Sequence, residues 1–580
     1  MSLAYATSAG RRGTVSGDLT LTLAAGETIS FNLAAGGHWF GHGFNHTQPC
    51  PLERGSVVND SFAVNNIQSP VWLCSAGVAI LADTRRLLGA RLNADDDGTL
   101  RVTAAVDAVT LRVWRRDTLP AAQSELLRYL GWPNHAPSAA TLGDSLFCTW
   151  TQYPRCLTQA RIVDMARQIR DRGYPCSTLI VDDRWESCFG ELEFAKKDFP
   201  DPPAMTREIH ALGLKVWLWV TPFVNQEAAN FAALSAANIL VPAADGGGAA
   251  LFKWWGGTAG LVDVTAPQGR RWLAEQLRRL RDTYGVDGFK IDGGDFKYQP
   301  SPAAAAWHEF VGESGYSDAL LAVFEEVCPN ACETRTAWLS QRRDIIWRQG
   351  GKDSHWGADN GLAATVGLAL HLGLLGYDTF IPDMIPGRVQ TMRTDFPLPT
   401  DELMTRWTEA TAFMPLMQFS YFPWNYAPAT ERALRGLALA HKALQGYLAA
   451  QARARRAPLL RPVWYDTPSA AELYTVGDEF LLGDDLLVAP VLTAGAVARD
   501  VLLPPGEWTD AWTGVTVSGG WHKNYPAPCP GIPLFVKAGH RELAATLRAA
   551  LAVIERGSIV SGVTTTTYTA GLNRDLSVTG

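Results

Sequence analysis

Val286-Asp-Gly-Phe-Lys-Ile-Asp-Gly-Gly-Asp295 is the stretch whose reading decides the fold. An apolar run ends abruptly at Asp292, and two glycines follow. Just upstream, Trp272, Leu273, Leu277, Leu280 and Tyr284 recur at helical spacing, and Gly285 stands where a helix would stop. Helix, glycine, buried strand and then a carboxylate at the strand's C-terminal end is one unit of an α/β barrel, the fold whose strand ends carry the chemistry. Lys290, two residues before Asp292, points to the same side of the strand. A cation there is expected to keep Asp292 ionised. An ionised aspartate at a barrel mouth can act as a nucleophile.

Outward from this stretch the same unit repeats. From about residue 121, short apolar runs alternate with helical patterns: Leu146–Trp150, Thr178–Asp183, Lys215–Val220, 286–292, Ala331–Arg335, Ser354–Gly357, Phe380–Pro382 and Leu416–Ser420. Eight strands with helices between them predict a (β/α)8 barrel over 121–457, longer than usual and so carrying inserted loops. Residues 1–120 show period-two runs broken by Gly and Asp-Gly, such as Leu19–Leu23, Val78–Leu81 and Thr110–Trp114, and predict an antiparallel β-sandwich. Short strands return over 458–540 and predict a second one. Residues 541–580 read as one amphipathic helix and a Thr-rich extended tail. Gly361–Tyr377 is uncharged and apolar but contains His371 and four glycines, so it reads as a buried barrel helix and not a membrane span.

Composition narrows the function. The 580 residues are 47% hydrophobic and 19% charged with a net charge of −7 and no basic stripe, which argues against nucleic acid as the partner. The basic run Arg453–Arg456 reads as a solvated helix end. Nine cysteines, odd in number and scattered, do not form a disulfide framework, and Cys328 with Cys332 lacks a second ligand pair for zinc. No basic-then-apolar leader opens the sequence, so a cytoplasmic location is expected, with no membrane partner. Neither a metal nor a cofactor is expected. The sequence leaves the oligomeric state open, a homo-oligomer included.

The strand ends supply the candidate site. They bring Asp182, Asp183 and Trp185 after the second strand, Trp219 on the third, Lys290 and Asp292 on the fourth, Arg335 on the fifth, and His355, Trp356 and Asp359 from the sixth; Trp254 and Trp255 precede the fourth. Carboxylates accept hydrogen bonds from vicinal hydroxyls and indole faces stack on sugar rings, so the set points to carbohydrate. Glycoside cleavage needs one charged and one protonated carboxyl. Asp292 beside Lys290 suits the first role. Asp359 in apolar surroundings suits the second, and a gap of about 5 Å between them implies retention. Each has a structural alternative: Asp292 as a turn residue, Asp359 as a helix cap. Asp287, at the start of its strand, reads as structural. Strand alternation predicts that Asp182 and Asp183 do not both face the barrel interior, and that Trp217 is core while Trp219 is the ligand.

These residues together resemble glycoside hydrolase family 31. Phe289-Lys-Ile-Asp292 looks like its nucleophile motif, His355-Trp-Gly-Ala-Asp359 like its acid/base strand, and Gly483–Pro490 with Leu503–Trp508 like the β domain after its barrel. The resemblance implies cleavage of α-linked sugars with retention and without metal. It implies Asp292 as nucleophile and Asp359 as acid/base, with Asp182 or Asp183, Trp255, Lys290, Arg335 and, as a second arginine, Arg348 binding the sugar. His38–Gly41 resembles an N-terminal loop that reaches the site, with Asn65 and Asn66 following it. The Phe-Lys-x-Asp motif, Trp254-Trp255-Gly-Gly and Met417–Trp424 look like the branch that contains α-galactosidases and the myogenesis-regulating glycosidase. Asp295 departs from it, since relatives often carry glutamate there. The expected activity is an exo-acting α-galactosidase on oligosaccharides or glycosides. An α-glucosidase, α-xylosidase or sulfoquinovosidase is the alternative within the family, and a catalytically dead sugar-binding barrel the alternative outside it.

Overall fold

The computed structural model describes residues 3–43, 46–59, 66–154, 156–388, 399–455 and 457–559. Its centre is a nearly closed parallel barrel of eight strands, the seventh in two pieces: β1 (Ser145–Cys148), β2 (Cys176–Val181), β3 (Lys215–Val220), β4 (Gly288–Ile291), β5 (Cys332–Thr334), β6 (Ile346–Arg348), β7 (Phe380–Ile381, resumed at Met384–Ile385) and β8 (Gln418–Phe419). Closure depends on β7. Its first piece pairs with β6 and its second with β8, so the interruption at Pro382-Asp383 spreads one strand across the seam. The helix Pro267–Tyr284 ends at Gly285, whose φ of +72° is left-handed, as the spacing predicts. At Gly288 a Cβ would lie 2.0 Å from the Ala331 carbonyl and 2.6 Å from Trp217 Nε1, so only glycine lets β4 sit this close to its neighbours.

One barrel strand differs from the sequence expectation. The sixth strand is Ile346–Arg348, and Ser354–Gly357 is a bent loop instead. A three-residue strand inside Asp344-Ile-Ile-Trp-Arg348 leaves no period-two signal. The loop is fixed by side chains: Asn360 Nδ2 donates to Asp353 Oδ2 at 3.0 Å and to the Gly351 carbonyl at 3.0 Å.

The N-terminal residues form two antiparallel sheets of a sandwich, and the predicted runs lie in the strands Leu19–Leu23, Val78–Asp83 and Val109–Arg115. The barrel contributes a strand to it. Ala337–Trp338, just past β5, pairs in parallel with the sandwich strand Ile67–Cys74. Helix Leu362–Leu374, from the apolar 361–377 stretch, is buried at every residue but Ala363 between the sandwich strand Trp39–Gly43 and the C-terminal strand Leu460–Pro462. His371 on it accepts the Gly41 N–H at 3.1 Å and donates to the Pro49 carbonyl at 2.9 Å. Among the described residues no helix is long and apolar enough to cross a membrane.

After the barrel stands a single six-stranded antiparallel sheet. Pro504–Gly506 is a bulge within its strand Ala498–Asp510, where register shifts between Leu503 and Glu507. Helix Arg541–Leu551 follows and packs on helix Pro428–Ala443. The Thr-rich tail, from 560 on, and Arg456 lie outside the described residues.

Candidate active site

The C-terminal ends of the strands surround a cleft of about 270 Å³ lined by Asp182, Asp183, Trp219, Trp255, Lys290, Asp292, Arg335 and Arg348, all expected from the sequence. Asp292 sits at its floor. Gly293 and Gly294 follow with φ of +75° and +84°, turning the chain away directly after the carboxylate. One oxygen of Asp292 accepts from Arg335 Nε and from the Gly293 N–H at 3.1 Å; the other accepts from Trp219 Nε1 at 3.1 Å. Burial pushes this carboxyl up, but Arg335, Arg348 and Lys290 outweigh it, and Trp219 adds to them, so Asp292 is held below the usual carboxylate range.

The cation in contact with Asp292 is Arg335. Lys290, expected in that place, pairs instead with Asp182 at 2.7 Å. It belongs to a buried ladder of alternating charge beneath the cleft. Lys290 lies 4.0 Å from Glu333, Glu333 pairs with Arg348 at 2.8 Å, and Arg348 lies 3.5 Å from Asp383. Lys290, Glu333 and Arg348 stand on β4, β5 and β6, Asp182 just past the end of β2, and Asp383 in the interruption of β7. Register makes this possible, since Lys290 lies opposite Glu333 between β4 and β5. A single buried charge here would be costly; alternation compensates each one with neighbours.

Asp182 and Asp183 both line the cleft, against the alternation argument. β2 ends at Val181, so the two aspartates stand on the loop beyond it, where strand alternation no longer applies. Burial, then the charge of Asp182, push the Asp183 carboxyl up to about 7. Trp219 borders the cleft as expected, with Trp217 in the core. Trp185 is not at the cleft. It is fully buried, its Nε1 donates to the Trp219 carbonyl at 2.8 Å, and it packs on Phe194. Trp356 is also outside the lining, half-buried against the core. Trp255, 41% exposed at the tip of the hairpin Leu251–Leu261, forms the mouth, with Tyr298 edge-on to it at 4.8 Å between centroids.

Asp359 does not face Asp292 across the cleft. Its side chain is 77% exposed, 3.7 Å from His355 Nδ1, and not in the apolar surroundings expected for it. It stands at the rim: its backbone bridges to Thr47, and its neighbour Asn360 accepts at Oδ1 from His46 Nδ1 at 2.9 Å, a histidine that lines the cleft. Other lining residues were not named for the site: His46, Trp150, Tyr298, Gly351, Met384 and Arg388. Only Trp150, an aromatic at a strand's C-terminal end, carried a local signal. Asn66, which follows the expected N-terminal loop, also borders the cleft; Asn65 lies outside the described residues.

Comparison with known proteins agrees with this architecture. Residues 135–449 match the model of the glycosyl hydrolases family 31 TIM-barrel domain, and 456–540 that of the family's C-terminal domain. The chain belongs to glycoside hydrolase family 31. Within the family, residues 4–114 match the myogenesis-regulating glycosidase N-terminal domain. The myogenesis-regulating glycosidase of Mus musculus is 32% identical over 515 residues, covering 82% of this chain and 70% of that protein. The 1,3-alpha-isomaltosidase of Kribbella flavida is 31% identical over 59% of this family 31 chain and 50% of its own length. Among solved structures, the cycloalternan-degrading enzyme of Trueperella pyogenes superposes with a TM-score of 0.76 at 22% identity, covering 93% of this chain and 89% of that one. A family 31 sulfoquinovosidase from E. rectale does so with 0.77 at 17% identity, covering 95% of each. At these identities the superpositions speak for the fold.

Proposed function

We propose that this family 31 glycosidase is a retaining, exo-acting hydrolase of terminal α-linked sugars, with α-galactosides as its substrates. The observation that carries the reading is Asp292, charged at the floor of the cleft and held by Arg335 and Trp219. Its carboxylate attacks the anomeric carbon while the leaving oxygen takes a proton from Asp359, giving a glycosyl-aspartate. Water, deprotonated by Asp359, then attacks the same carbon, and the sugar leaves with its α configuration restored. The role of Asp359 is supported by its motif and by its neighbour Asn360, which holds the cleft-lining His46. A small cleft floored by buried ion pairs suits one terminal ring, with Asp182, Asp183, Lys290, Arg335 and Arg348 on its hydroxyls and Trp255 on its face.

The choice of galactose is supported by the Phe-Lys-x-Asp motif and the paired Trp254-Trp255. It is tested by comparing purified protein on aryl and natural α-galactosides, α-glucosides, α-xylosides and α-sulfoquinovosides. Release of galactose with the highest kcat/KM is expected. Cleavage of another sugar without galactose release overturns the choice, and no cleavage of any overturns the hydrolase reading in favour of a sugar-binding barrel.

A second assignment of the acid has one observation behind it. Asp183 lines the cleft with its carboxyl pushed up to about 7, so near neutral pH it carries a proton beside the site of attack.

A further inference from the structure

Arg335 holds two carboxylates. Its Nε meets Asp292, and its Nη1 lies 3.2 Å from Asp295 Oδ2. The same Nη1 donates to Asn66 Oδ1 at 3.4 Å, and Thr336 Oγ1 donates to Asp295 Oδ2 at 3.4 Å. Asp295 is 5% exposed and does not line the cleft, and its Oδ1 has no hydrogen-bond partner among the described residues. The charged groups acting on Asp295 are Arg335, across from β5, and Asp292 on its own loop; Arg348 and Tyr298 act in turn on Arg335. Two carboxylates therefore share one guanidinium in a buried place, and each weakens the other's claim to charge.

The chemistry proposed for Asp292 changes this balance. When its oxygen bonds to the anomeric carbon, the carboxylate becomes a neutral ester. Arg335 would then be a buried cation without its nearest anion, an arrangement of high cost. We propose that Asp295 is the counter-charge Arg335 keeps through the glycosyl-enzyme, releasing its proton to solvent as the ester forms and taking one up as the ester is hydrolysed. The inference rests on Asp292 as nucleophile. Burial pushes the Asp295 carboxyl up, and Asp292 adds to this against Arg335, leaving it at about 6, so it carries a proton to release at mildly acid pH. Loss of the Asp292 charge removes the repulsion that helps to raise it. Asp295 acts through Arg335 and is a positioning residue.

The test is proton release on trapping. A 5-fluoro-α-galactosyl fluoride, or the glucosyl analogue if that is the sugar cleaved, forms the Asp292 ester as the C–F bond breaks. Fluoride leaves with the electron pair, so this exchange consumes and releases no proton. An Asp359→Ala background removes the proton of the proposed acid. In weakly buffered indicator solution at pH about 6, trapping is expected to release a fraction of a proton per site. Asp295→Asn in the same background releases measurably less. Equal release from the two, with mass spectrometry placing the label on Asp292, overturns this inference alone. A label on a different residue overturns the nucleophile assignment as well. Should the asparagine variant fail to fold, Asp295→Glu serves: it keeps the release but moves the pH at which release is greatest, and an unchanged pH profile overturns the proposal.

Discussion

At the scale of the residue, Arg335 governs the site. The nucleophile motif points to Asp292, but its ionisation depends on a guanidinium more than forty positions later in the chain. Replacing Arg335 with alanine removes the nearest cation, so Asp292 keeps its proton to higher pH. The acid limb of kcat/KM is expected to move upward, read from pH profiles on an aryl glycoside; a limb that stays in place removes Arg335 from this role. Asp292→Ala is expected to lower kcat by several orders of magnitude with the fold intact, since it deletes a group used in the transition state. Asp359→Ala is expected to do the same on natural glycosides but less on activated aryl substrates, whose leaving groups need little protonation, and azide should restore its turnover. If Asp183→Asn shows that leaving-group dependence and Asp359→Ala does not, the acid is Asp183. Asp292 and Lys290 were legible because a strand followed by glycines announces its own end. Glu333 was not: a glutamate inside Ala331-Cys-Glu-Thr-Arg335 shows no sign of the two cations its register brings beside it.

At the scale of the element, the sixth barrel strand escaped the sequence while long helices did not. The 18-residue helix Pro267–Tyr284 repeats its apolar spacing often enough to be read, and its left-handed Gly285 marks the stop. β6 has three residues, and its partners, not its pattern, make it a strand. Helix Leu362–Leu374 gives a test of packing. A Cβ at Gly373 would lie 2.0 Å from the Leu460 carbonyl, a backbone atom that cannot rotate away. Gly373→Ala is therefore expected to destabilise by about 1–3 kcal/mol despite alanine's better helix propensity. Urea unfolding checks it, and a neutral or raised midpoint means that the helix and the C-terminal sheet shift apart freely.

At the scale of the whole molecule, the sandwich and barrel are joined as one body around the site. Ala337–Trp338 extends a sandwich sheet, Trp338 Nε1 donates to the Thr84 carbonyl at 2.7 Å, and Asn66 and His46 reach the cleft from the other side. Buried histidines contribute to this assembly in their neutral form. Burial pushes His42 down to about 3, and His371 and His441 down to about 4. Their folded values lie below that of the unfolded chain, about 6.5. Their contribution is therefore complete above that pH and is lost as pH falls towards 4. Stability is expected to fall between pH 7 and 5 by about 1–2 kcal/mol for each such histidine. His371→Asn should lessen the fall, as read from urea midpoints at the two pH values; an equal fall in the variant excludes His371 as a source. The sequence by itself determined the class of fold, the order antiparallel β, barrel, antiparallel β, and the aspartate at the end of β4, because periodicity, glycine stops and strand-end carboxylates are local properties of the chain. Only the tertiary structure decided that Arg335 and not Lys290 grips Asp292, that Asp182 and Asp183 share the cleft, and that Trp185 is core and Asp359 stands at the rim. Electrostatic partnership depends on distances between strands closed into a ring, and no local pattern encodes those distances.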